Sequence, residues 1–181
     1  MWTRIDTPLG PLRITATETA VTAIEFDDDP DVDNDLVGEL PASAERAGRR
    51  RARRLIGERV DDSPLLTRAR TQLEEYFVGQ RTRFDLPLDP AGTGFQQQVW
   101  AALQTVPFGT TATYGELAAR IGPRGTSARA VGTANGANPI AIVVPCHRVV
   151  GADGRLTGYA GGLGRKRALL ALEQGIPGRE I

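Results

Sequence analysis

Cysteine and histidine are almost missing from this 181-residue sequence, which has one of each. A single cysteine excludes an internal disulfide, so a reducing cytoplasm is the expected setting. Together the two residues cannot fill the ligand set of a Cys/His zinc site; only carboxylate ligation stays open, and no metal or cofactor is expected. Long apolar runs are missing as well: nothing approaches the roughly 18 residues of a membrane-spanning helix. The opening Met1-Trp2-Thr3-Arg4-Ile5-Asp6 lacks the basic-then-apolar order of a signal peptide. Net charge is zero, with 22 basic and 22 acidic residues.

That zero conceals a division. Residues 1–94 hold 13 Arg against 18 Asp and Glu, a balance of −5; residues 95–181 hold 8 Arg and 1 Lys against 4 acidic residues, a balance of +5. A basic half in a neutral protein points to a polyanionic partner for that half.

The scarce cysteine and histidine are neighbours, in Pro145-Cys146-His147-Arg148. They follow the apolar run Ile140-Ala141-Ile142-Val143-Val144, which reads as a buried strand or extended segment delivering a thiol to its end. A lone cysteine is most often a small buried hydrophobe. Here an imidazole and a guanidinium stand beside it, and such neighbours lower a thiol's pKa and raise its nucleophilic thiolate fraction. On composition alone both readings stay open.

Along the chain, residues 5–26 read as strands turning at Thr7-Pro8-Leu9-Gly10. Residues 27–35 form an acidic loop, and residues 49–54 a basic stretch whose plainer reading is a solvated surface. A helix is expected over 64–78 with Ser63 as N-cap and Pro64 in its first turn, burying Leu66, Leu73 and Phe77. Residues 84–88 read as a strand, and residues 89–94 as a hinge between domains 1–90 and 91–181. The second half reads as helical: one helix from Thr93 or Gly94, one carrying Tyr114 and Leu117, one capped by Ser127, and one ending at Glu173. The middle two have the outline of a helix-turn-helix whose second helix is smooth, Arg129 being its one long side chain.

Tyr114-Gly115-Glu116-Leu117-Ala118, Ala128-Arg129-Ala130-Val131-Gly132, Asn138-Pro139 and Ile142 through Val150 around Cys146 resemble the 6-O-alkylguanine-DNA alkyltransferases. The likeness is dense over residues 95–173 and thin before residue 64. It implies an α/β (α+β) fold, with an N-terminal ribonuclease-H-like sheet domain and a C-terminal winged-helix-like domain. It implies direct reversal of 6-O-methylguanine, and less well 4-O-methylthymine, by irreversible transfer of the alkyl group to protein. By resemblance Cys146 is the acceptor, His147 its base through a water, Glu173 the group orienting His147, and Tyr114 the proton donor to the departing base. Arg129 is the finger filling the vacated stack; Arg124, Thr126, Ser127 and Ala128 join Tyr114 and Arg129 at the DNA. Asn138 is the hinge, and Val149, Tyr159 and Ala160 frame the base pocket. The partner implied is double-stranded DNA with an alkylated guanine, bound by a monomer, with cooperativity along DNA left open. Alanine stands at 141 where members accepting benzyl groups have proline, and the zinc ligands of some animal members are absent. Two rivals are a non-transferring alkyltransferase-like damage sensor and a Cys-His hydrolase; the second would need an oxyanion hole, for which no motif is present.

Overall fold

The structure, a computed structural model, describes residues 1–27, 57–122 and 126–175. Most of the acidic loop, the basic stretch at 49–54 and Arg124 lie outside the described residues.

Strands β1 (Trp2–Ile5), β2 (Leu12–Ala16) and β3 (Val21–Phe26) form an antiparallel sheet in that order. The turn between β1 and β2 closes through Gly10 N–H donating to the Thr7 carbonyl, 3.0 Å, with Gly10 at φ 101°, a conformation that favours glycine. Helix α1 (Pro64–Phe77) packs on β1 and β2 and buries Leu66, Ala69, Leu73 and Tyr76. Ser63 is its N-cap by backbone conformation, although its side chain makes no capping bond.

Residues 84–88 are not a strand. Gln72 accepts from the Asp85 N–H (2.8 Å) and donates to the Asp85 carbonyl (3.0 Å), occupying groups a neighbouring strand would need. Only an isolated bridge, Val21 to Leu88, reaches the sheet.

Helices α2 (Gly94–Leu103), α3 (Tyr114–Ile121) and α4 (Ala128–Gly136) pack on one another. Their starts are fixed locally. Thr93 with Gln96 and Thr113 with Glu116 form capping boxes, each satisfying two otherwise orphaned N–H groups. Ser127 Oγ accepts from the Ala130 N–H. Buried Trp100 donates its indole N–H to the Ala134 carbonyl at 3.0 Å, tying α2 to α4. Strand β4 (Ala112–Thr113) pairs in parallel with β5 (Val149–Val150), and α5 (Leu163–Glu173) is the last element among the described residues.

One hydrophobic core runs through both halves, from Ile14 and Leu73 to Trp100, Ile142 and Leu169. Backbone bonds cross it: the Ile24 N–H donates to the Pro139 carbonyl, and the Ala141 N–H to the Ile24 carbonyl, both 2.9 Å.

Candidate active site

The approach to Cys146 differs from the strand expected over 140–144. Only Ile140 bridges to the sheet; the next residues turn, with Ile142 at φ 69°, in the left-handed region. A buried β-branched residue there costs on the order of 1–3 kcal/mol and persists only where its surroundings hold it. Asn138 supplies much of that hold. Its Nδ2 donates to the carbonyls of Val144 (2.8 Å) and Ile140 (3.2 Å), and its Oδ1 accepts from the Ile140 N–H (3.0 Å). Backbone groups that would enter a ladder are thereby satisfied within the turn.

The turn delivers Cys146, His147 and Arg148 as one 3-10 turn, all three buried. Its tight winding resolves the strand geometry in which adjacent side chains point to opposite faces. His147 is fully buried, and its Nε2 lies 2.7 Å from Glu173 Oε1. Glu173 can only accept, so Nε2 carries the proton and Nδ1 presents a lone pair. Nδ1 is buried with no hydrogen-bond partner among the described residues.

Glu173 is the most heavily bonded side chain of the site. Besides His147, its carboxylate accepts from Arg148 Nε (2.8 Å), Arg148 NH2 (2.9 Å), the Gly109 N–H (3.1 Å) and Tyr76 Oη (2.8 Å). Burial opposes its charge, yet the hydrogen bonds from His147 and Arg148 prevail and hold its pKa at about 2. These donors also offset the unfavourable end of the α5 dipole, where a carboxylate is otherwise disfavoured. His147 moves down from its ordinary value because burial disfavours the imidazolium, with Glu173 opposing.

The thiol does not follow the sequence expectation that nearby His147 and Arg148 would acidify it. Burial pushes Cys146 up, against a hydrogen bond from Asn138 and the charge of Lys166. Arg148 commits its guanidinium to Glu173 and the Val106 carbonyl instead. The resting group is a neutral thiol that needs a base. Lys166, fully buried, donates Nζ to the carbonyls of Val149 and Thr157 and is a cation that the sequence reading overlooked.

The remaining residues singled out from the sequence lie in β5, in the glycine loop and on the helix pair. Tyr159 carries a buried hydroxyl with no partner among the described residues; burial, followed by the charge of Cys146, raises its pKa. Val149 is buried in β5, directly after the turn, and Ala160 is exposed in the glycine loop. Tyr114 opens α3, half-buried; its Oη lies 3.5 Å from the Thr157 carbonyl and its ring packs on Gly132. Ser127, Ala128 and Arg129 are exposed at the start of α4, and Thr126 is half-buried just before it. These four stand apart from the bonded cluster around Glu173.

Residues 94–175 match the model of the 6-O-methylguanine DNA methyltransferase DNA-binding domain, and residues 1–90 that family's ribonuclease-like domain. The chain belongs to this family. The match to the ribonuclease-like domain extends the likeness well beyond the opening hairpin seen in the sequence. A methylated-DNA–protein-cysteine methyltransferase of Mycobacterium tuberculosis is 64% identical over 103 residues, 57% of this chain and 62% of that protein's length. One from Mycobacterium leprae is 44% identical over 170 residues, 94% of this chain and 90% of that protein. The crystal structure of the Mycobacterium tuberculosis protein OGT in complex with DNA superposes with a TM-score of 0.74 at 43% identity, covering 96% of this chain and 92% of that one. The fold is thus a mixed α/β one, a small N-terminal sheet domain followed by a helical C-terminal domain. Among the described residues no helix is long and apolar enough to cross a membrane, and no group of three or more His, Cys, Asp or Glu could hold a metal.

Proposed function

We propose that this protein is a methyltransferase that repairs double-stranded DNA by moving the alkyl group of 6-O-methylguanine, and less readily that of 4-O-methylthymine, onto Cys146. The reading rests on one arrangement: a buried neutral thiol beside a His147 whose Nε2 is committed to Glu173 and whose Nδ1 is unpartnered. His147 Nδ1 takes the thiol proton, directly or across one water, and the Glu173 carboxylate stabilises the imidazolium. Sγ then attacks the methyl carbon in line. The C–O bond breaks, its electron pair passes to the guanine, and Tyr114 donates the proton that makes guanine a good leaving group. A thioether remains on Cys146. It has no good leaving group, and the sequence has no second cysteine to resolve it. The free thiol calls for a reducing cytoplasm.

Reaching an atom inside a duplex requires flipping the nucleotide out. In this reading Arg129, exposed on α4, fills the stack, while Arg124, Thr126, Ser127 and Ala128 meet the backbone; Val149, Tyr159 and Ala160 frame the extruded base, and Asn138 holds the turn before the thiol. The protein acts as a monomer within two domains, 1–90 and 91–181.

Intact-mass measurement after incubation with a 6-O-methylguanine duplex tests the reaction. One equivalent of methyl, about 14 Da, should be added to the sole thiol and no more. Turnover beyond one equivalent excludes the single-use reaction, and binding with no mass gain would instead support the damage-sensor reading.

A second measurement tests the finger. Arg129→Ala should slow transfer from duplex DNA roughly 10- to 100-fold while leaving transfer from a free modified base nearly unchanged, because only the duplex reaction includes flipping. Arg129→Lys should recover little, since an ammonium lacks the planar guanidinium that stacks on bases. An unchanged ratio of duplex to free-base rates would make Arg129 a phosphate contact instead.

A further inference from the structure

Among the described residues, Tyr76 is the only contact to the Glu173 carboxylate that comes from the N-terminal half, 97 residues away in sequence. Its side chain is fully buried. The ring packs against Phe77, Phe84 and Phe108, with centroids 5.4, 5.5 and 6.1 Å away, which fixes where the hydroxyl points. That hydroxyl donates to Oε1, the same oxygen that accepts from His147 Nε2.

We propose that Tyr76 is a positioning residue for alkyl transfer, acting through Glu173 to set how strongly the carboxylate draws on His147. The inference rests on the function proposed above. Oε1 serves three donors, Tyr76 Oη, His147 Nε2 and Arg148 NH2, while Oε2 serves Arg148 Nε and the Gly109 N–H. Each donor withdraws charge from the carboxylate. Arg148 holds Glu173 from two nitrogens, so removing the Tyr76 hydroxyl leaves the carboxylate in place but returns charge to Oε1. The bond to His147 then strengthens, and the imidazolium is favoured. Among the described residues, the other charged or titratable groups facing this pair are Arg148 on its turn, Cys146 beside it and Lys166 on α5, and Tyr76→Phe leaves all three in place. Through Tyr76 the N-terminal half thus adds to burial in keeping His147 neutral and ready to accept the thiol proton.

The sequence has one histidine, so 15N resonances of the imidazole report His147 alone. In Tyr76→Phe its titration midpoint should rise by on the order of half a unit, and the acid limb of the alkyl-transfer rate should move with it. An unmoved midpoint in folded Tyr76→Phe overturns the proposal, whatever happens to its unfolding temperature. Phe84→Leu thins the packing on the ring but keeps the hydroxyl; it should lower the unfolding temperature and leave the midpoint in place. An equal shift in Phe84→Leu would assign the effect to packing and also overturn the proposal. If Tyr76→Phe does not fold, the wild type decides. A tyrosine hydroxyl proton protected from exchange and close to the His147 ring supports the assignment, and its absence at low temperature removes it. The titration does not depend on methyl transfer, so a protein that accepts no methyl group would refute the proposed function without deciding this one.

Discussion

Cys146→Ser is expected to lose alkyl transfer by at least about a thousandfold while still binding DNA. Displacement at a saturated carbon favours a soft, polarisable nucleophile, and serine offers a hard oxygen with a far higher pKa. His147 cannot close that gap, because burial already lowers its basicity. The substitution should disturb the fold little, since it replaces sulfur by a smaller oxygen and leaves the Asn138 bonds that hold the turn in place. Transfer of a labelled methyl group, followed beside a DNA-binding measurement, gives both readings. Transfer by the serine variant at the wild-type rate would remove Cys146 from the chemistry.

Glu173→Gln should act on stability as strongly as Cys146→Ser acts on rate. Among the described residues, the carboxylate is the only anion paired with Arg148, whose side chain is 8% exposed, and it also accepts from His147, Tyr76 and Gly109. An amide keeps the shape, removes the charge, and turns an NH2 toward groups that donate. Removing one partner of a buried ion pair costs about 3–5 kcal/mol, which denaturant unfolding of wild type and variant would measure directly. The pH dependence carries the same signature. Glu173 in the fold titrates at about 2, below its ordinary 4.5, so its contribution is complete above 4.5 and is lost as pH falls toward 2. His147 also titrates below its ordinary 6.5, so its contribution is complete above 6.5 and likewise fades as pH falls. Wild-type stability should decline below pH 6.5 and more steeply below 4.5. Glu173→Gln should flatten the lower part of that decline. A variant as stable as wild type with an unchanged acid profile would contradict the ion-pair account.

How much of this could be read from the sequence depends on how local each signal is. Ser127, Thr93 and the Pro64 start announce their helices because a cap is a bargain between residues three positions apart. The Cys146-His147 pair was legible through scarcity and adjacency. By contrast, Ile140-Ala141-Ile142-Val143-Val144 has strand composition and turns instead. The bonds that decide it come from the Asn138 side chain, and nothing in an isoleucine signals the left-handed conformation of Ile142. Residues 84–88 misled for the same reason, through Gln72. The direction of the thiol's pKa stayed open because charge is visible in a sequence and burial is not. Tyr76 was missed altogether: a tyrosine on an apolar helix face reads as core, and its partner lies 97 residues on.

The backbone bonds from Ile24 to Pro139 and Ala141 have a consequence for how the chain is made. Synthesis runs from the N-terminus, so β3 leaves the ribosome more than a hundred residues before the segment that pairs with its outer edge. Until residue 140 emerges, Ile24 on that edge presents an open N–H and C=O beside an unfinished core, the condition in which strands pair with the wrong partner. The sheet can form early but cannot be finished early. Its completion waits on the same short segment that carries the thiol, so a chain truncated before residue 140 would be left without the nucleophile and without the partner that seals its first domain.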